Sequence, residues 1–406
     1  MNKVLRVIIL LFLASSVSRA TTYYVAKNGS DSNPGTQGSP FLSIQHAANS
    51  VSAGDTVIVG DGTYVETVFI SRSGTSSARI TFKSQNKWGA IIQPTDAQQA
   101  ALAYLIVDIN AGYITWQDFQ IIGSGTAPTS SGIKCNGRIA CWILGNNIHN
   151  IGVSTTACPI GGGAILSDSG QAVIKGNYIY NVSPPRNAPF RCNKQHGIYI
   201  TGDTGAIGQG GFVQDNIIFE VWSGWGIQFW SFNPNHWTTT NNTIFNSGNA
   251  NQNTGGPITL GCNMDLGSGE PSGTCDNNVW NNNIFEHTQG GTENNCFENG
   301  GTGWGTHNTY DHNLLFDCGT NALIGGQTVT NSVTSDALFL KYTGDQTGDY
   351  HLGASSPAIK AGTSNGAPST DYDGNPQTSP ATIGGLLAAA VGSAPTAPTG
   401  LTATVQ

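Results

Sequence analysis

Residues 191–230 read RCNKQHGIYITGDTGAIGQGGFVQDNIIFEVWSGWGIQFW. Two short patterns echo one another here, HGIYI and WGIQF, with VQDNIIFE between them. Ile198 and Ile200 alternate with Tyr199, and Ile227 and Phe229 alternate with Gln228. A period of two sends alternate side chains to opposite faces of a sheet, so each pattern predicts a strand with an apolar inner face. VQDNIIFE predicts a third strand. The same stretch concentrates reactive groups: Arg191, Lys194, His196, Tyr199 and Asp203, followed by Trp222, Trp225 and Trp230.

Working outward, the echo becomes a repeat. Asn, any residue, then Ile or Leu recurs at Asn146, Asn177, Asn216, Asn242, Asn282 and Asn313, at intervals of 31, 39, 26, 40 and 31 residues. A second series, SGIKC, GAILS, HGIYI, WGIQF and GPITL, carries Gly132, Gly163, Gly197, Gly226 and Gly256. Self-similarity at this period is the signature of a solenoid. Asn at one turn of every coil predicts a structural ladder of side-chain hydrogen bonds. The longest intervals place the large loops between Asn177 and Asn216 and between Asn242 and Asn282.

Toward the N-terminus, NGSDSNPGT precedes SIQHAANSV, a short helix that Ser43 should cap, and AGDTVIVGDGTYVE follows. These three stretches resemble the opening of secreted right-handed parallel β-helix proteins of the pectate-lyase-like superfamily. The resemblance covers roughly the first fifty residues after a leader and implies an all-β solenoid from Thr21 to Gly385 with that helix as its cap. It names no single activity, because the fold carries lyases, hydrolases, epimerases and non-catalytic surface proteins.

The leader expected at residues 1–20 has basic Lys3 and Arg6, the apolar run VIILLFLASSV and a Ser18-Arg19-Ala20 cleavage site. Its removal takes Lys+Arg from 16 to 13 against 24 acidic residues, and the net charge from −8 to about −11. That balance speaks against a nucleic-acid partner, and no later apolar run is long enough to span a membrane. A monomer that meets a polysaccharide outside the cell is the expectation. Eight cysteines suit an oxidising compartment, and no CxxC pair suggests zinc. Cys158 and Cys192 each stand five residues before a repeat glycine, which predicts a Cys158–Cys192 disulfide between neighbouring coils. Proximity suggests Cys135–Cys141 and Cys296–Cys318.

At the other end, DYHLGASSPAIKAGTSNGAPSTDYDGNP resembles the closing segment of such proteins. TDYDGNP lacks the acidic residue that completes an EF-hand loop and reads as a turn. Residues 386–397 read as a linker. Residues 398–406 resemble the start of a truncated fibronectin type III module.

The chemistry expected is that of a carbohydrate-active protein. Hydrolases of the resembled group carry a DD pair and a GHG motif, and this chain has neither. Asp203, Asp215 and Glu220 are the carboxyls left for that chemistry. A lyase needs a base and a means of neutralising a uronate carboxylate. Arg191, Lys194 and His196 put three basic groups within six positions, so Lys194 or His196 is the candidate base. Arg191 is the candidate carboxylate holder and Tyr199 the candidate proton donor. Lys134, at the outward place of SGIKC, is a second candidate base. Trp222, Trp225, Gln228 and Trp230 are candidate sugar contacts. The resemblance adds calcium as a candidate cofactor. The alternatives are a non-catalytic glycan-binding protein, or a hydrolase or epimerase on the same fold.

Overall fold

The computed structural model describes residues 20–125, 128–136, 138–154, 158, 161–185, 194–201, 210–222, 224–230, 234–248, 256–260, 276–287, 296–299, 305–317 and 329–388. The leader, Arg191, Cys192, Asp203 and the fibronectin-like start lie outside them.

Among the described residues, twenty-nine short strands form three parallel sheets of ten, eight and nine strands and one two-stranded antiparallel hairpin. One strand from each large sheet makes a coil. Ser131–Cys135, Trp142–Leu144 and Asn147–Ile151 make one, and Gly162–Ser167, Ala172–Lys175 and Tyr178–Val182 stack on it. The architecture is the parallel β-helix expected from the repeats. Alternation fills its interior with straight columns of like residues. In the eight-strand sheet Val107, Ile133, Ile165, Ile198 and Ile227 pair coil upon coil, and all are fully buried. Each such side chain contributes roughly 1.5–3 kcal/mol.

Helix α1, Ile44–Ser50, closes the first coil. The Ser43 hydroxyl accepts from the His46 N–H, and Ile44, Ala47 and Ala48 are buried. A second helix, α2, Asp96–Ala101, carries a Thr95/Gln98 capping box that the repeat pattern did not flag.

The ladder forms along the turn between the ten-strand and nine-strand sheets. The side-chain oxygen of each rung accepts from both the main-chain N–H and the side-chain amide of the rung before. The amide distances are 3.0 Å for Asn146 to Asn177, 2.9 Å for Asn177 to Asn216 and 2.8 Å for Asn216 to Asn242. The other amide hydrogen goes to a carbonyl of the preceding turn, as from Asn216 to Ile174 at 2.9 Å. The fifth rung is Asn283, not Asn282. Three asparagines stand together there, and the inward position two places on is taken by Phe285, which pairs with Ile244, rather than by Ile284. The residue before each rung is left-handed: Gly145, Gly176, Asp215, Asn241, Asn282 and His312, with φ between 52° and 67°. Gly, Asn, Asp and His tolerate that region best.

The same turn corrects two other expectations. VQDNIIFE is not one strand. Asp215 bends the chain at φ 53°, leaving Gly211–Gln214 in the ten-strand sheet and Ile217–Ile218 in the nine-strand sheet. Gly163 aligns with His196 and Ser131, one place before Gly197, so the glycine series is out of step by one. Cys135–Cys141 is formed, and Cys158 and Cys296 are disulfide-bonded. Cys192, the partner expected for Cys158, is outside the described residues. TDYDGNP is a turn in which Asp371 Oδ1 accepts from the N–H groups of Asp373 and Asn375. Packing continues past Gly385, with Leu386 and Leu387 buried.

Asn216→Ala removes two amide donations and strands the donors of Asn177 in a dry interior. We expect a loss of about 2–4 kcal/mol in chemical denaturation. A loss below about 1 kcal/mol would show that the rungs are not what holds the coils in step.

Candidate active face on the eight-strand sheet

The outer face of the eight-strand sheet gathers several expected residues into rows. Cα partners run Phe69, Asp108, Lys134, Leu166, Tyr199 and Gln228. Each step is one coil, roughly 4.8 Å. Lys134, Tyr199 and Gln228 therefore share a single column. One place beyond the strand ends, main-chain bonds from Asn136 to Ile109, Asp168 to Cys135, Thr201 to Ser167 and Trp230 to Ile200 continue the ladder. Asn136, Asp168 and Trp230 rise there, beside that column.

Sequence reasoning missed Asp108, Asn136 and Asp168. Asp108 stands at the outward place of LIVDI, as Lys134 does in SGIKC, and that shared position is the signal that could have found it. Burial pushes the Asp108 carboxyl above the ordinary carboxylate range. The Asp168 charge pushes the same way, while the Lys134 charge and a hydrogen bond from Asn136 pull against it. Asp108 Oδ1 is buried without a hydrogen-bond partner. Two carboxylates, one with an unused oxygen, and a nearby amide form a donor set of the kind calcium takes. Two protein carboxylates are too few to enclose the ion, which suits one completed by water and a substrate carboxylate. Among the described residues no group of three or more His, Cys, Asp or Glu is assembled for a metal.

The other candidates are placed differently. His196 is buried, its ring 5.1 Å from that of Tyr199 and stacked at 5.4 Å on Trp225. Its Nδ1 accepts from the Trp225 N–H, which leaves the proton on Nε2. Burial drives the imidazole down to about 3, so it is neutral at working pH. That arrangement makes His196 a support beneath Tyr199 and a poor proton acceptor. Lys194 is exposed and precedes the strand, roughly 16 Å along the chain direction from Tyr199. Trp225 is buried. Trp222 lies on the turn after the nine-strand sheet, its indole N–H reaching Asn181 at 3.4 Å. Trp230 is half-buried at the strand end.

Of the carboxyls kept for hydrolysis, Asp203 lies outside the described residues, and Asp215 and Glu220 do not meet. Asp215 precedes strand Ile217–Ile218 and Glu220 follows it, a span of roughly 16 Å. Asp215 is buried against Lys175 at 3.3 Å, and burial raises it to about 8. Glu220 is raised to about 7, by burial first and by Asp345 second.

No family model matches the chain. Over 140 residues it is 33% identical to the uncharacterized protein YwoF of Bacillus subtilis, a stretch covering 33% of this chain and 29% of that protein. Over 75 residues it is 37% identical to pectate lyase PEL9 of Emericella nidulans, 18% of each chain. These matches span less than a third of either curated relative. A solved glycoside hydrolase superposes with a TM-score of 0.50 at 8% identity, over 73% of this chain and 88% of that one. The crystal structure of pectate lyase Pel9A gives 0.45 at 15% identity, over 92% and 98%. The likeness to the glycoside hydrolase is one of fold. Among the described residues no helix is long and apolar enough to cross a membrane.

His196 also yields a pH prediction. Its folded value is about 3 against 6.5 unfolded, so between those values the unfolded chain binds more protons. Stability should therefore fall as pH drops from 6.5 toward 3, by at most about 1.4 kcal/mol per unit, and be unaffected by this group above 6.5. His196→Asn keeps an acceptor for Trp225 and removes the titration. Its profile of denaturation midpoint against pH should be flatter than wild type across that window. Parallel profiles would contradict a buried neutral imidazole.

Proposed function

We propose that this protein is a secreted polysaccharide lyase that cleaves a uronate-containing glycan by β-elimination on the eight-strand face. The observation that carries the reading is the row Asp108, Lys134, Leu166, Tyr199, with Asp168 and Asn136 beside it. It replaces Lys194 and His196 with Lys134 as the base. Lys134 forms no ion pair within 4 Å among the described residues, so its amine is not committed to a neighbour.

Each group has a place in the reaction. A sugar ring lies over Leu166, with Lys134 on one side and Tyr199 on the other, roughly 10 Å apart at Cα. Lys134 removes the proton next to the uronate carboxyl. Tyr199 returns a proton to the departing glycosidic oxygen. The C–O bond breaks as a C=C bond forms, and no water is consumed. Asp108 and Asp168 would hold a calcium ion, whose contribution is to neutralise the substrate carboxylate and acidify the neighbouring C–H. Gln228 and Trp230 extend the same surface and bind the neighbouring sugars. The match to a pectate lyase over 75 residues supports a carbohydrate-active reading.

One observation favours a second reading. Asp108 and Asp168 feel one another, and one is raised, which is how a hydrolase separates its acid from its base. The products decide. A lyase acting on pectate, alginate or a glycosaminoglycan gives ultraviolet-absorbing unsaturated ends. A hydrolase gives reducing ends alone, and a binding protein gives neither.

On the lyase reading Lys134→Ala should lower kcat by about 10²–10⁴-fold with little change in binding, while Lys194→Ala stays within a few-fold of wild type. Chelation should stop turnover and added calcium restore it. Full activity in Lys134→Ala would remove Lys134 from the mechanism.

A further inference from the structure

The ten-strand sheet presents a second outward face, built differently. Its outward row runs Thr115, Trp142, Val173, Phe212 and Thr238 in register. Phe212 is 46% exposed, unusual for so large an apolar ring. A cleft of about 520 Å³ opens over this row, bounded by Arg79, Tyr113, Gln171 and His236.

Arg79 is held rigidly. Its guanidinium stacks 3.7 Å over Trp142, Nε donates to Thr115 Oγ1 at 3.0 Å, and Nη2 donates to the carbonyls of Ile114 and Ala140. Nη1 donates to no described residue. Nor does a carboxylate among the described residues hold the charge: burial pulls the group down to about 10, with Tyr113 acting in the opposite direction. It is still cationic at neutral pH. A half-buried cation with no counterion among the described residues is costly, and doubly notable in a chain with 16 basic and 24 acidic residues. The arrangement suits an anionic ligand that also has an apolar face.

We propose that this cleft is a second glycan site, taking a uronate carboxylate on Arg79 Nη1 and a sugar ring on Phe212. Trp142 and Phe212 are two coils apart, roughly 10 Å, so one pyranose cannot serve both and the smallest full ligand is a disaccharide. The site's role is binding: Arg79 and Phe212 hold the chain, and His236 also lines the cleft. This inference stands whether or not the eight-strand face is a lyase.

The test is titration calorimetry with oligogalacturonate, oligoalginate and a glucuronate-containing oligosaccharide, beside neutral cello- and galacto-oligosaccharides. Every chain carries Lys134→Ala to suppress turnover. At least one acidic oligosaccharide should bind and the neutral ones should not. Phe212→Ala should weaken a distinct class of sites about tenfold without changing the melting temperature. Arg79→Gln should weaken it at least tenfold. Arg79 also ties Ile114 and Ala140, so Phe212→Ala decides if that variant does not fold. Identical isotherms with and without Phe212, equal binding of neutral sugars, or no binding of any acidic one would overturn the proposal.

Discussion

One buried amide, repeated coil after coil, is what the rest of the structure depends on. Each of the four inner rungs, Asn177, Asn216, Asn242 and Asn283, gives both amide hydrogens and takes two donations, so every polar atom it brings into the interior is satisfied. A buried amide without those partners would cost roughly 1–3 kcal/mol. Neighbouring coils therefore register at this turn and nowhere within hydrogen-bond reach of it. A slip by one residue would also turn every inward isoleucine outward. The ladder and the isoleucine columns enforce the same register, and that register lines up Asp108, Lys134 and Tyr199 although 26 and 65 residues separate them in the chain.

The three outer faces divide accordingly. The eight-strand face keeps charge and aromatic groups together. The ten-strand face carries the row of Trp142 and Phe212 with Arg79 fixed beside it, and a neighbouring row in which Lys83 and Lys175 pair with Asp118 and Asp215. The nine-strand face is closed: Tyr178, Tyr180, Phe219 and Phe245 stack along it, and the C-terminal segment covers them through Phe339 and Tyr350. His351 pins that cover between Asp349 at 2.6 Å and Asp373 at 2.7 Å, and these carboxylates raise it to about 9. Two faces are thus left for ligands.

Much of this was legible in the chain. The Asn repeat announced the solenoid, and alternation in HGIYI and WGIQF told inside from outside correctly. What failed was register by a single place. The triple Asn281-Asn282-Asn283 offers more than one match, and only the left-handed turn residue before each rung tells which is the rung. The glycine series slipped by one place because Gly163 stands two residues before its inward Ile165, whereas Gly132 and Gly197 stand one residue before Ile133 and Ile198. The candidate site suffered more. Residues close in sequence, such as Lys194 and Tyr199, looked close in space, yet a strand carries them apart. Asp108 and Asp168 approach Lys134 only across coils, and loop lengths set that meeting.

The central claim is that an acidic glycan reacts on the eight-strand face where Asp108, Lys134, Asp168 and Tyr199 converge. A crystal structure of Lys134→Ala with a bound uronate oligosaccharide tests it most directly. The account predicts a sugar ring over Leu166, its carboxylate toward Asp108 and Asp168 through a cation and its glycosidic oxygen toward Tyr199. A structure with that face bare and the oligosaccharide held elsewhere would contradict it.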